Sequence, residues 1–278
     1  MSLDPQPVAA LPLEKLAKLE QRLAELRAVI VAFSGGVDSA FLLAVAHRVL
    51  GDSCVAFTAL GPSLAAREQD ACVAFAKQLG VRHVLRQSAE IDDPRYTANP
   101  TDRCYFCKTS LFDVAEVLAA DLGIDNICLG TNTDDLGDHR PGLKAAKERA
   151  GLSPLVDAGL SKADVRALAK HLGLDLWDKP AMACLASRFP YGTPIDRERL
   201  GRIEACEALL ADLGFRQFRA RFHSQVLRLE VGVDELPRAL EPATRRAIVE
   251  GCKAQGFLYV ALDLEGFRSG SMNEVLKG

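Results

Sequence analysis

The chain is 278 residues long, 49% hydrophobic and 26% charged, which supplies a substantial packed core and excludes a disordered polymer. A formal charge of −3 and a pI near 6.0 argue against a broad nucleic-acid-binding face, though they are compatible with a local basic pocket. No apolar run approaches the ~18 residues that cross a bilayer, and residues 1–10 lack the basic start and apolar stretch of a secretory signal, so a soluble cytoplasmic protein is expected.

Leucines at 11, 13, 16, 19, 23 and 26 among Lys and Glu give a helical period over residues 11–26. Residues 28–33 (AVIVAF) form a short apolar run that ends at Ser34-Gly35-Gly36, the pattern of a buried strand entering a tight turn. An apolar helix over 40–50 stops at Gly51. A second strand over 55–60, a helix over 65–79 closed by Gly80, and a third strand over 81–86 follow. Beyond a polar loop through Pro94 and Pro100, a helix is predicted over about 105–122 and a fourth strand over 126–130. Strands alternating with helices of this length imply an α/β fold, a Rossmann-like parallel sheet covered on both faces. One more helix, 162–172, starts at Ser161 and ends at Gly173.

From Pro194 the pattern changes: a helix over 196–213, strands over 215–222 and 226–231, a helical stretch over 235–255 and a last strand over 257–264. Two strands joined by a short turn fit an antiparallel α+β unit. The Pro- and Gly-containing loop near 184–194 is the natural boundary. It divides a nucleotide domain, 1–187, from a smaller C-terminal α+β domain, 188–278, expected to serve substrate binding and oligomerisation.

Ser34-Gly35-Gly36-Val37-Asp38-Ser39 lies directly between an apolar strand and an apolar helix. Two glycines let the backbone turn sharply and aim N–H groups at an anion, and the helix N-terminus adds partial positive charge. Ser34 and Ser39 can donate hydroxyls to phosphate oxygens, and Asp38 can help to hold Mg²⁺. No Gly-Lys-Ser/Thr ending follows, so this is not a Walker A loop; the bland alternative is an ordinary glycine-rich turn. The hexamer resembles the SGGxDS loop of the PP-loop ATP pyrophosphatases. That resemblance implies ATP cleaved between the α and β phosphates and an adenylylated intermediate. Adenine would lie against the end of the second strand, Phe57 to Leu60 with Ala59 among them. Gly130 and Thr131, at the end of the fourth strand, look like a further nucleotide-side loop, where open α/β sheets bind ligands.

Of the eight cysteines, Cys54, Cys128 and Cys252 sit in or beside apolar stretches and Cys72 and Cys206 within helical patterns, where a free thiol behaves as a small hydrophobe. Cys104 and Cys107 differ. They form a C-x-x-C at a predicted helix start, where i and i+3 share a face and the helix dipole favours thiolate. Cys184 stands in KPAMACLASR beside Ser187 and Arg188. The loop GTNTDDLGDHRPG (130–142) gathers Asp134, Asp135 and Asp138 with His139 and Arg140; a solvated turn is the simpler account of those acids. Arg219 and Arg221 share one strand face and could hold a phosphate bidentately, or else form an exposed strand face.

These stretches together resemble the LarE family, sulfur transferases that help to build a nickel-pincer nucleotide cofactor; the resemblance runs from about Leu11 to Asn273. It implies that a carboxylate of pyridinium-3,5-biscarboxylic acid mononucleotide is adenylylated and that sulfur then replaces AMP. Cys184 would handle the sulfur, with Ser187 and Arg188 in the same active loop. Arg219 and Arg221 would bind the substrate phosphate, with Glu230 nearby. Family members with one active-site cysteine sacrifice it. Members with three hold a [4Fe–4S] cluster, and Cys104, Cys107 and Cys184 match that arrangement. Structural zinc is the rival and needs a fourth ligand from His83 or His139. The expected partners are a small-molecule nucleotide and a sulfide or other sulfur donor, with no nucleic acid or membrane, in a homo-oligomer. An amide-forming, NAD synthetase-like ligase would need no cysteine triad. A tRNA-thiolating enzyme would need basic, aromatic-laced surface that this chain lacks.

Overall fold

The structure is a computed structural model, and it describes residues 11–137, 141–180 and 184–268. In chain order its first elements are α1 (Leu13–Leu26), β1 (Val29–Ala32), α2 (Val37–Leu50), β2 (Cys54–Leu60), α3 (Ala66–Leu79) and β3 (Arg82–Gln87). Next come α4 (Pro94–Thr97), α5 (Arg103–Leu122), β4 (Ile127–Leu129), α6 (Pro141–Glu148), α7 (Pro154–Asp157) and α8 (Lys162–His171). The C-terminal part holds α9 (Arg197–Asp212), β5 (Phe218–His223), β6 (Val226–Val231), α10 (Leu236–Leu240), α11 (Pro242–Ala254) and β7 (Tyr259–Leu262).

The first sheet has the order β3-β2-β1-β4, every pair parallel. Alternation along β1, β2 and β4 feeds two separate cores. Val29, Val31, Cys54, Ala56 and Cys128 face a layer of α1, α2, α7 and α8, whereas Ile30, Ala32, Val55, Phe57, Ile127 and Leu129 face α5 and α6. Both faces are thus buried, which is why these strands read as continuous apolar runs rather than alternating ones. The capping box of Ser161 and Asp164 starts α8 where the sequence places it.

The second sheet has the order β5-β6-β7. β5 and β6 are antiparallel as expected, and β7 joins β6 in parallel through the α10–α11 crossover. The expected single helix over 235–255 is two helices. Glu241 is extended (φ −56, ψ 138) because Pro242 follows it, and proline disfavours helical backbone in its predecessor. A third core joins the two parts of the chain: Ile91, Tyr96, Leu185, Ala186 and Phe189 pack with α9 and with Phe218, Ala220 and Phe222 of β5. No helix among the described residues is long and apolar enough to cross a membrane.

Candidate active site

The phosphate loop takes shape at the carboxyl end of β1. Phe33 N–H bonds to Phe57 O at 2.8 Å, and the Thr58 hydroxyl donates to Phe33 O at 2.7 Å, so the strand end is fixed before the turn begins. Since that hydroxyl's proton is spent on Phe33, the 2.9 Å contact from His83 Nε2 places a proton on Nε2. Gly35 has φ +76, the left-handed region that glycine enters without penalty, and a Cβ there would lie 2.9 Å from Cys72 Sγ. Ser39 Oγ lies 3.2 Å from Ser34 Oγ, accepts Ser34 N–H at 3.3 Å and donates to Gly36 O at 3.0 Å. The two serines therefore brace the loop around the first turn of α2.

Asp38 lies in that first turn. Its Oδ1 is buried without a hydrogen bond of full geometry, although the Asn132 side chain is near enough to favour the charged form. Burial pushes the Asp38 carboxyl up, and the Lys162 ammonium, 3.7 Å from Oδ2, opposes the shift; Asp135 adds to it. An unpartnered carboxylate oxygen with a second acid nearby, beside phosphate-binding backbone, has the donor chemistry that Mg²⁺ takes. Lys179 adds a second cation, its Nζ 3.1 Å from Gly35 O and 2.6 Å from Glu68 Oε2.

Gly130 and Thr131 stand where expected, at the end of β4, and the geometry gives Gly130 a specific reason. A Cβ there would fall 2.6 Å from Ser39 N and 2.7 Å from Ser39 Cα, so only glycine lets β4 approach the start of α2. Asp134 and Asp135 are not simply solvated. Asp135 Oδ2 accepts Asn132 N–H, and Asp134 Oδ2 accepts Lys162 N–H at the start of α8, both at 3.0 Å. Asp138, His139 and Arg140 lie outside the described residues, as do residues 181–183 of the ACLASR stretch and the resemblance beyond residue 268.

Cys184 is held by its neighbours rather than by a regular element. Leu185 N–H bonds to Ser63 O at 2.8 Å, and Arg103 Nη1 donates to Ala186 O at 2.9 Å. Arg188 Nη1 donates to Cys184 O at 3.2 Å, and Arg221 Nη1 donates to Ser187 O at 3.0 Å. The loop after β2, the start of α5 and strand β5 thus converge on five residues. Arg103 is steadied by the Asn99 side-chain oxygen, and Asn99 is itself left-handed (φ 54) and buried, with Nδ2 donating to Pro190 O at 2.8 Å.

This clamp brings Cys184 beside the Cys104–Cys107 pair. Cys104 and Cys184 reach solvent and Cys107 is half-buried, and the Cys184 sulfur acts electrostatically on both of the others. The expected thiolate-favouring helix start is outweighed here. The Cys104 side chain is accessible yet crowded by protein, and that crowding, then Cys184, pushes its thiol up; Cys107 is pushed up to about 12, mainly by burial. Among the described residues no three His, Cys, Asp or Glu side chains already converge on one metal-binding point. His83 Nε2 is bonded to Thr58 and its ring packs against Phe33, and among the described residues it forms no metal-holding group with these cysteines. Three adjacent thiols, two of them accessible, do fit the donor chemistry of an iron–sulfur cluster.

Arg219 and Arg221 are each only 5% exposed, so the exposed-strand alternative does not hold. Arg221 forms a bidentate pair with Glu230 (3.0 and 2.8 Å), which also accepts from Arg228 at 3.1 Å. Arg219 lies 4.8 Å over the Phe267 ring, and burial, with Arg188 nearby, lowers it to about 10. Arg188, 1% exposed, pairs bidentately with Glu207 at 2.7 and 2.9 Å and bonds to Ser187 Oγ at 2.9 Å. Sequence reasoning missed Asn99, Glu207, Lys162 and Lys179. Lys162 carried a signal, since a cation at the first position of a helix opposes the helix dipole.

A parallel α/β sheet whose first strand feeds a serine-braced glycine loop, with an aspartate whose Oδ1 lacks a hydrogen bond and two lysines around it, defines an ATP-utilising enzyme of the PP-loop class. No family model matches the chain. It is 45% identical over 262 residues to an uncharacterized protein of Synechocystis, covering 94% of this chain and 98% of that one. Over 263 residues it is 37% identical to the pyridinium-3,5-bisthiocarboxylic acid mononucleotide synthase of Lactiplantibacillus plantarum, covering 94% and 95%. A shorter match, 28% over 173 residues, links it to one subunit of the glutamine-hydrolyzing GMP synthase of Pyrococcus furiosus, with 58% of this chain and 54% of that one covered. The chain belongs to the pyridinium-3,5-bisthiocarboxylic acid mononucleotide synthase family, the LarE family.

Proposed function

We propose that the protein is an ATP-dependent sulfur transferase acting on pyridinium-3,5-biscarboxylic acid mononucleotide for nickel-pincer nucleotide synthesis. The substrate carboxylate attacks the ATP α-phosphorus, forming the acyl adenylate and releasing pyrophosphate. Sulfide sulfur then adds to the acyl carbon, AMP departs with the C–O electron pair, and a thiocarboxylate remains. The observation that carries this reading is the clamp on residues 184–188, which sets Cys184 beside Cys104 and Cys107. Lys179 at the phosphate loop precedes Cys184 by five residues, so the two centres are within about 17 Å along the chain.

The residues divide the work. Backbone N–H groups of Gly35 and Gly36, with Ser34 and Ser39, would hold phosphate oxygens; Asp38 would hold Mg²⁺; Ala59, Gly130 and Thr131 would border the nucleotide. Arg219 and Arg221 take the substrate phosphate, Arg221 braced by Glu230. Arg188 positions the Cys184 loop through Glu207, and Ser187 belongs to that loop, its Oγ bonded to Arg188. Cys104, Cys107 and Cys184 would hold a [4Fe–4S] cluster, which would supply a site for external sulfide so that no protein sulfur need be spent. Residues 1–187 carry the ATP chemistry and 188–278 the substrate phosphate site. Exposed Leu258, Tyr259 and Leu264 (54, 63 and 84%) support a homo-oligomer through the second part.

The test is anaerobic incubation of the protein with the mononucleotide, ATP, Mg²⁺ and hydrosulfide. The expected result is pyrophosphate release coupled to a product in which sulfur replaces oxygen. An amide product on replacing hydrosulfide with ammonia, without thiolation, would return the ligase reading.

A further inference from the structure

Residues 190–193 form a reverse turn that the buried Asn99 holds from within. Thr193 N–H bonds to Pro190 O at 3.0 Å, and Gly192 is left-handed (φ +79). Asn99, 0% exposed, donates from Nδ2 to Pro190 O at 2.8 Å and to Thr193 O at 3.1 Å, and its carbonyl accepts Gly192 N–H at 2.8 Å. The residue carried by that frame is Tyr191. It belongs to none of the three hydrophobic cores and is half-buried, so part of its ring reaches solvent. Asn99 Oδ1 also accepts from Arg103 Nη1, and Arg103 precedes Cys104 and donates to Ala186 O. One side chain thus fixes Tyr191, Cys104 and the Cys184 loop relative to one another. Burial pushes the Tyr191 phenol up, Arg103 opposes the shift, and Cys104 and Cys184 add to it, so both accessible thiols lie within electrostatic reach of the ring's hydroxyl.

Resting on the proposed function above, we propose that the Tyr191 ring is the stacking platform for the pyridinium ring of the mononucleotide. That ring is flat and positively charged, and the face of a phenol attracts such a cation through its quadrupole. The placement suits the rest of the substrate. Arg221 Nη1 meets Ser187 O, and Tyr191 lies four residues further on, at most about 14 Å along the chain. A phosphate held by Arg219 and Arg221 and a ring held on Tyr191 can therefore belong to one mononucleotide. Stacking fixes the plane of the ring and leaves its edge, which carries the carboxylates, free to meet the α-phosphorus of ATP and then the sulfur. It also selects a cationic ring over a neutral one. The substrate ring would lie on the solvent side of Cys104 and Cys184, outside the space between the three thiols.

The experiment is titration calorimetry of the full chain with the mononucleotide, without ATP or sulfide, for wild type, Tyr191→Phe and Tyr191→Leu. A second titrant is the 1,4-dihydropyridine form of the same nucleotide, which keeps the carboxylates and the phosphate but has a neutral ring. Tyr191→Leu should weaken binding of the cationic nucleotide about five- to thirtyfold, the loss of a cation–π contact, and Tyr191→Phe should stay within about threefold of wild type. The neutral form should bind wild type and Tyr191→Leu alike, which also reports that the variant's site is folded. Equal affinity of wild type and Tyr191→Leu for the cationic nucleotide would overturn the inference. So would an equal loss for both nucleotides, or a loss in Tyr191→Phe as large as in Tyr191→Leu, which would assign the effect to the fold or to the hydroxyl. A wild type that binds no mononucleotide would remove the substrate reading and this inference with it. A Tyr191-dependent preference for the cation in a protein that forms no thiocarboxylate would uphold the stacking site and remove only the reaction.

Discussion

Gly130→Ala should damage the phosphate loop from a residue that carries no functional group. The added methyl would lie 2.6 Å from Ser39 N, 2.7 Å from Ser39 Cα and 3.0 Å from the Asp38 carbonyl carbon. Ordinary contact begins at 3.4 Å, so the deficit is about 0.8 Å against backbone, which cannot rotate away as a side chain can. Either β4 retreats from β1, to which Ile127, Cys128 and Leu129 are paired, or the first turn of α2 shifts and takes the Ser34–Ser39 brace with it. Overpacking of this kind costs about 1–3 kcal/mol. Urea unfolding should show that loss, and ATP-dependent pyrophosphate release should fall by about a hundredfold or more, because sub-ångström placement of the phosphates governs the rate. A variant with wild-type stability and activity would refute the claim that Gly130 is required by close approach to the loop.

Asp38→Asn and Ser39→Ala should each abolish pyrophosphate release in folded protein. Because burial raises the Asp38 carboxyl in the native state, that state holds its proton more tightly, and stability falls as pH rises through the interval from the ordinary carboxylate value upward. Asp38→Asn should therefore be at least as stable as wild type at neutral pH in metal-free urea titrations; marked destabilisation would contradict the assignment. Glu207→Ala should cost about 3–5 kcal/mol by removing the bidentate carboxylate from the buried Arg188, whereas Asp212→Ala, in an exposed pair with Arg67, should change stability by less than about 1 kcal/mol. Arg219→Ala should weaken binding of the mononucleotide about ten- to a hundredfold in titration calorimetry and leave ATP binding alone. Equal loss of both would place Arg219 in the ATP site or the fold. Iron and acid-labile sulfide should amount to about four each per chain after anaerobic purification and disappear in Cys104→Ala, Cys107→Ala or Cys184→Ala; undiminished iron in those variants would remove the cluster from these cysteines.

The phosphate loop was legible because its physics is local: a buried strand, two glycines and a helix start are contiguous in sequence. The parallel sheet was legible for a similar reason, since continuous apolar strands spaced by helices have few other solutions. What sequence could not carry was what covers each face. Strand alternation puts Arg219 and Arg221 on one side of β5, but their burial depends on the loop at 184–188 and on Phe267, both distant along the chain. The clamp on Cys184 depends on Asn99 in a left-handed turn and on Glu207 in the middle of α9, two residues with ordinary sequence surroundings. Proximity of the three cysteines could be inferred only by resemblance; the clamp supplies the physical reason. The division of residues 235–255 had a local signal in Pro242, which the helical periodicity on either side obscures.

The central claim is that sulfur from solution, held beside the three cysteines, replaces AMP on an activated carboxylate. A single-turnover reaction with isotopically heavy hydrosulfide, ATP and the mononucleotide, followed by mass measurement of both product and intact chain, tests it directly. The account predicts heavy sulfur in the thiocarboxylate and a chain of unchanged mass. Light sulfur in the product, with the chain lighter by one H₂S at Cys184, would contradict it and establish a sacrificed cysteine instead.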